Sequence, residues 1–222
     1  MSDDRWTLYA TRGTGSTVVE AAIERVRAHR GAGEPGFELE RVEVEYTDEG
    51  PQNPRLFELN PLGQLPTLVL ADGAVMTESA AIVLWLAERH PAAGLAPLPG
   101  AADRPRFLRL LVFLVAAIYP TFTYGDFPAR WVAAEHGGGL VASTNRHRER
   151  LWRWVETQAA PDGPWFLGER FSALDLYAGT MTRWRPRRPW FAEHCPRLDA
   201  IAQRVDGLPE LAAVWARNFP PR

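Results

Sequence analysis

Two apolar runs, residues 65–70 and 74–77, are joined by Asp72-Gly73, and this joint constrains the fold more than any other stretch. Both residues tolerate positive φ, as a two-residue hairpin between twisted strands requires, so the runs are predicted to be antiparallel neighbours. Upstream, residues 7–10 read as a short strand. Gly13 and Gly15 then loosen the chain, and Ser16 is expected to cap a helix running to about Arg30. Residues 37–46 place Leu39, Val42, Val44 and Tyr46 among charged side chains, near strand alternation with one irregular step after Leu39. Residues 54–60 allow one or two helical turns, and residues 78–89 form a helix. The order is β-α-β-α-β-β-α, with a hairpin where most α/β domains place another crossover.

The texture changes at residues 91–100, where Pro, Gly and Ala replace the periodic patterns. This divides the chain into a domain at 1–90, a linker at 91–101 and a domain at 102–222. Apolar positions recur at helical spacing over 104–119, 141–158, 172–184, 196–205 and 209–219, so the second domain is predicted to be all helix. The expected fold class is α/β plus all-α. Gly137-Gly138-Gly139 is expected as a flexible turn between helices. Ser172-Ala173-Leu174-Asp175 has the spacing of a capping box, flanked by Phe171 and Leu176 as a hydrophobic staple, and is read as structural.

Composition excludes several chemistries. All 25 basic residues are arginine, so Schiff-base catalysis, pyridoxal phosphate attachment and a P-loop lysine are ruled out. Codon usage in a GC-rich genome accounts for that bias. One cysteine, Cys195, excludes an intramolecular disulfide and any multi-cysteine metal site, which fits a reducing cytoplasm. The first residues show no signal-peptide pattern. The longest apolar run, 107–120, is short and broken by Arg109, so it is expected as a buried core helix and not a membrane span. Residues 1–90 carry 8 Arg against 15 acids, and the remainder 17 Arg against 12. An acidic half repels phosphate backbones, and the excess in the other half forms no stripe, so nucleic acid is not an expected partner. The run 183–190, where Arg alternates with Trp and Pro, is read as helix-end cations stacked on tryptophan. Small molecules become the expected ligands.

Asn60-Pro61-Leu62-Gly63-Gln64-Leu65-Pro66-Thr67-Leu68, followed by Thr77-Glu78-Ser79-Ala80-Ala81-Ile82, resembles the glutathione-binding signature of cytosolic glutathione transferases. The resemblance implies a thioredoxin-like domain followed by a helical domain, usually dimeric, with glutathione as co-substrate. It implies a cis bond before Pro66 that exposes a strand edge at Leu65, where the backbone of a short peptide can pair; an ordinary turn proline is the bland alternative. Ser79 at a helix start suits the γ-glutamyl carboxylate and Glu78 the α-ammonium. Capping of the same helix by Thr77 needs no ligand. Gln64 and Gln52, with Asn53, are candidates for the glycyl end.

Activation of the thiol requires lowering its pKa from about 8.5, which a hydroxyl donor and a helix N-terminus in the first β-α turn can do. In cysteine-type members of the resembled family the nucleophile falls at Gly15 here, and no C-x-x-C is present, so thioredoxin-type redox chemistry is excluded. Cys195 lies too far along the chain to substitute. The hydroxyls available are Thr11, Thr14 and Ser16. Serine-type members place theirs near Thr14, whereas Ser16 holds the helix-cap position; both stand as catalytic candidates beside the backbone N–H groups alone. Tyr9 is expected in the core. The electrophile is expected between the two halves, lined by Tyr119, Phe122, Tyr124 and Trp131. The expected function is a cytoplasmic, metal-independent, homodimeric transferase that joins the glutathione thiolate to small apolar electrophiles. The alternatives are a glutathione-dependent isomerase and a non-catalytic binding or regulatory module.

Overall fold

In the computed structural model, residues 4–34, 36–47 and 50–220 are described. β1 (Arg5–Ala10) organises the first unit, with Trp6, Leu8, Tyr9 and Ala10 all buried. It pairs in parallel with β2 (Glu38–Glu43), Arg5 opposite Glu38, and a parallel pair needs a crossover. α1 (Ser16–His29) supplies it, burying Val18, Val19, Ala22, Ile23 and Val26 at helical spacing. The chain then forms a small antiparallel pair, β3 (Glu45–Thr47) with β4 (Gly50–Gln52), and α2 (Pro54–Leu59). β5 (Thr67–Val69) returns antiparallel to β1 and carries β6 (Val75–Met76) on its other side, before α3 (Ser79–Arg89). The sheet order β2-β1-β5-β6 is the thioredoxin-like arrangement expected from the sequence.

Three local expectations are corrected. The strand predicted over 37–46 breaks at Val44, which is buried and donates its N–H to Ala10 C=O at 2.8 Å, so β2 ends there and β3 leaves the sheet. The joint between β5 and β6 is not a two-residue turn. Gly73 N–H bonds Leu70 C=O, Asp72 Oδ1 accepts from Ala74 N–H, and within that joint Gly73 alone has positive φ (84°). Finally, α2 is capped by Asn53, whose Oδ1 accepts from Leu56 N–H at 3.0 Å, so that side chain serves the helix.

The chain divides into two compact units, one up to Ala96 together with the segment from Asp206 onward, the other Pro97–Val205. This differs from the boundary read in the sequence. α10 (Ala212–Asn218) and the turn before it belong to the first unit. Leu211, Val214 and Trp215 are buried, and Glu210 pairs with Arg25 of α1 at 2.5 Å. Helical periodicity announces an apolar face without naming the surface that covers it.

The second unit holds α4 (Arg104–Phe113), a π-helical turn (Leu114–Ile118), α5 (Tyr119–Asp126), α6 (Gly137–Gln158), α7 (Ala173–Met181), α8 (Arg188–His194) and most of α9 (Pro196–Asp206). Tyr119 N–H reaches back five residues to Leu114 C=O, widening the helix just before Pro120, which has no N–H to continue the ladder. From Arg104 to Asp126 the helix is long and apolar enough to cross a membrane, and its most apolar window is only 39% buried. One face of it is the buried core helix expected, with Phe107, Leu110, Leu111, Leu114 and Ile118 all buried. Pro105, Arg109, Val112 and Ala116 form an exposed stripe along it. Gly137–Gly139, expected as a loose turn, are the first residues of α6. At α7 the capping box is formed: Asp175 Oδ2 accepts from Ser172 N–H and Oδ1 from Phe166 N–H, each at 2.7 Å.

Candidate functional site

Register brings three distant segments to one end of the first unit's sheet. Tyr9 lies opposite Thr67, so continuing that antiparallel pairing sets Thr11 opposite Leu65. Leu68 lies opposite Met76, and continuing it sets Leu65 opposite Ser79 and Pro66 opposite Glu78. The first turn, the loop before β5 and the start of α3 are thus neighbours.

The loop is held from inside by Asn60 and Thr67, both buried. Asn60 Nδ2 donates to Gln64 C=O and to Thr67 Oγ1, each at 3.1 Å, and Thr67 Oγ1 donates to the same carbonyl at 2.8 Å. Leu62 N–H bonds Asn60 Oδ1 at 3.2 Å. Gly63 has φ of 63°, and a Cβ there would stand 2.6 Å from the Phe57 ring, so only glycine fits. The Leu65–Pro66 peptide is cis, as expected. With its neighbours anchored, the Leu65 backbone N–H and C=O make no hydrogen bond among the described residues. They present a donor and an acceptor to an extended peptide. Sequence reasoning marked Leu65 and Pro66 but missed the bracing by Asn60 and Thr67. The signal was the asparagine opening the motif, a residue able to bond both ways.

α3 begins at Ser79, with Glu78 at the cap position and no side-chain cap. The alternative that Thr77 caps the helix is not what forms. Glu78 has φ 62° and ψ 107°, a backbone that a residue with a side chain adopts only at a cost of about 1–3 kcal/mol. It is exposed, while Ser79 is largely buried. The first bond of the helical ladder is Ile82 N–H to Glu78 C=O. The first turn therefore offers the positive end of the helix dipole beside Leu65. Gln64 is exposed on the loop. Gln52 turns back on its own hairpin, donating to Gly50 C=O at 3.1 Å and Thr47 Oγ1 at 3.2 Å.

In the first turn, Ser16 and Thr14 have different environments. Ser16 is 0% exposed; its Oγ accepts from Thr11 N–H at 3.1 Å and donates to Thr11 C=O at 2.9 Å. It does not cap α1, whose cap position is Gly15. A hydroxyl with no exposed surface touches no ligand, so Ser16 is corrected from a catalytic to a structural residue. Thr14 is half-buried; its Oγ1 donates to Thr11 C=O at 2.8 Å and lies 2.9 Å from Ser16 Oγ. Two hydroxyl protons serve a triangle of three oxygens, so Ser16 alone can satisfy Thr11 C=O if Thr14 turns its proton outward. The Thr11 hydroxyl is spent on Val44 C=O at 2.5 Å. Tyr9 packs with Val44 and Leu56 in the core, as expected. Cys195 is buried and burial pushes its thiol up to about 12, so it is no nucleophile at neutral pH.

The four aromatic residues expected to line an electrophile site fall into two groups in the second unit. Tyr119 and Phe122, one turn apart on α5, stand edge-on to Trp184 with ring centroids 5.5 and 5.2 Å away. In the sequence Trp184 stands out only as part of the basic run. Tyr124 points to another face and pairs with Trp131, 4.7 Å away and 54% exposed. Beneath Phe122 lies the buried Arg148 guanidinium, 4.3 Å from the ring centroid, bonding Thr121 C=O at 3.1 Å. Burial, then the neighbouring Arg185, lowers its pKa to about 10. Within the basic run, Arg185 pairs with Asp126 and Arg188 donates to Gly179 C=O at 3.0 Å, so both guanidinium groups are engaged inside the unit.

Residues 33–89 match the family model described as "Glutathione S-transferase, N-terminal domain". The chain is 38% identical over 212 residues to the uncharacterized GST-like protein YncG of Escherichia coli K12, covering 95% of this chain and 97% of that protein. It is 27% identical over 158 residues to the glutathione S-transferase GstA of Escherichia coli O157:H7, covering 70% and 74%. Among solved structures, a sphingomonad glutathione S-transferase complexed with glutathione superposes with a TM-score of 0.74 at 25% identity, over 94% of this chain and 96% of that one. The matched segment contains the braced loop, the cis proline and the start of α3, and the likeness to YncG runs nearly end to end; the chain belongs to the cytosolic glutathione S-transferase family.

Proposed function

We propose that this protein binds glutathione along Leu65 and at the start of α3, and joins its thiolate, with the tripeptide intact, to small apolar electrophiles. The observation that carries the reading is the convergence, by strand register, of an unused backbone donor–acceptor pair, a helix N-terminus and a hydroxyl-bearing turn. The cysteinyl backbone of the tripeptide pairs with Leu65 N–H and C=O. Its γ-glutamyl carboxylate meets Ser79 and the first turn of α3, and its α-ammonium meets Glu78. Gln64 serves the glycyl end; Gln52 joins it only by giving up its bonds to Thr47 and Gly50.

Thr14 Oγ1 donates to the thiolate, and Ser16 keeps Thr11 C=O satisfied when Thr14 turns. A donor placed there stabilises the charged form of the sulfur and lowers its pKa. The thiol proton leaves to solvent, the sulfur bonds to the electrophilic carbon, and the displaced group departs with its electron pair. Tyr119, Phe122 and Trp184 supply apolar contacts to the electrophile. The exposed stripe of α4 (Pro105, Arg109, Val112, Ala116) is the face through which two copies form a homodimer, and the setting is cytoplasmic.

Retention on immobilised glutathione together with conjugation of a chloronitrobenzene is the expected result. Retention without turnover, on this substrate or on an isomerisable ketone, would make the protein a glutathione-binding module.

A further inference from the structure

Gly13, the residue before Thr14, is held from the far end of the chain. Its N–H donates to Asn218 Oδ1 at 3.1 Å, across 205 residues of sequence. Gly13 has φ of 69°, with the Asn218 backbone 3.4 Å from where a Cβ would be. Asn218 is buried and its amide is fully used. Oδ1 also accepts from Thr17 Oγ1 at 3.0 Å, and Nδ2 donates to Val214 C=O at 3.0 Å and to Glu20 Oε2 at 3.2 Å. An N–H on one side and a carboxylate on the other fix which way this amide faces, because an inverted amide would meet a donor with a donor and an acceptor with an acceptor. Glu20 is itself buried, accepting from Arg41 Nε at 2.7 Å and from Arg217 at 3.0 Å. The ion cluster therefore orients Asn218, and Asn218 orients the turn.

We propose that Asn218 is a positioning residue for thiol activation: by holding Gly13 N–H it sets where Thr14 Oγ1 points, and so how far the bound thiol is acidified. Glu20 keeps the amide in register. The proposal rests on the glutathione reading above. A rotation at Gly13 would be carried directly into the next residue, and hydrogen-bonding supports of this kind are commonly worth about 10- to 100-fold in function.

The test is a pH titration of thiolate absorbance with glutathione bound to the full-length protein, paired with kcat and KM for conjugation. The wild type should show a thiol pKa below the free value of about 8.5. Asn218→Ala should raise it by about one unit and lower kcat at neutral pH about tenfold, leaving KM for glutathione within about twofold. Leu211→Ala, which empties core beneath the same C-terminal segment without touching the turn, should lower Tm while keeping the wild-type thiol pKa. Should Asn218→Ala not fold, Thr17→Val, which removes one of the donors on Asn218 Oδ1, should shift the thiol pKa upward by a smaller amount. A wild-type thiol pKa in Asn218→Ala, or in Thr17→Val where that is the variant read, overturns the proposal, as does an equal shift in Leu211→Ala. A wild type that binds no glutathione, or binds it with an unshifted thiol, instead overturns the function it rests on.

Discussion

Thr14 and Ser16 stand two residues apart and face the same carbonyl, yet only Thr14 has surface to offer. Thr14→Val should lower kcat/KM about 100-fold at neutral pH with Tm nearly unchanged, since Ser16 continues to hold Thr11. Ser16→Ala should remove the partner of the part-buried Thr11 N–H and cost about 0.5–1.5 kcal/mol, measured by chemical denaturation. An active Thr14→Val beside an inactive but stable Ser16→Ala would reverse the assignment. Both hydroxyls were visible in the sequence, but periodicity carries no information about which way a side chain turns in a non-repeating segment. Gly63 and Asn60 illustrate the same limit: the motif marked their places, and the contacts with Phe57 and Thr67 that make those residue types necessary are tertiary.

At the scale of elements, the sequence carried the order of strands and helices in the first domain, because alternation, helical spacing and the turn glycine are local signals. It did not carry the break at Val44, set by a bond to Ala10, nor α8, hidden in a run of Arg and Pro whose helix starts only after Arg187. The capping box of α7 was legible since its geometry is local, and it supports a pH-dependent test. Burial raises the Asp175 carboxyl from its ordinary 3.8 to about 7, against the hydrogen bonds from Phe166 and Ser172, which lower it. The folded chain therefore holds a proton between these values that the unfolded chain has released. The stability from this linkage is full below pH 3.8 and is lost as pH rises through about 7. Unfolding free energy relative to Asp175→Asn should fall with pH across that window by about 1.4 kcal/mol per unit at steepest. A difference independent of pH would contradict it. Asp175→Ala, which like Asp175→Asn does not titrate, should lose about 2–4 kcal/mol at acid pH by leaving the Phe166 and Ser172 N–H groups buried without acceptors, and that loss should shrink as pH rises across the same window.

Over the whole molecule, the chain returns at its end to the unit in which it began, and the composition shift near residue 91 could mark only the outward crossing. The return is made by Leu211, Trp215 and the pairs Arg25–Glu210 and Glu20–Arg217, partners that no local pattern connects. The proposed homodimer is tested at the exposed α4 stripe: if it forms there, Val112→Glu should lower the mass from dimer to monomer in sedimentation equilibrium at micromolar concentration, and an unchanged mass would count against that face. Glutathione is proposed to bind through the backbone groups of Leu65. Calorimetric titration of glutathione into the wild type and into Leu65→Pro, which deletes the N–H alone among backbone donors there, tests it most directly. Saturable heat is expected for the wild type, and affinity weakened about tenfold or more in a variant with wild-type circular dichroism. No heat from the wild type at millimolar ligand, or equal affinities in the two, would contradict it.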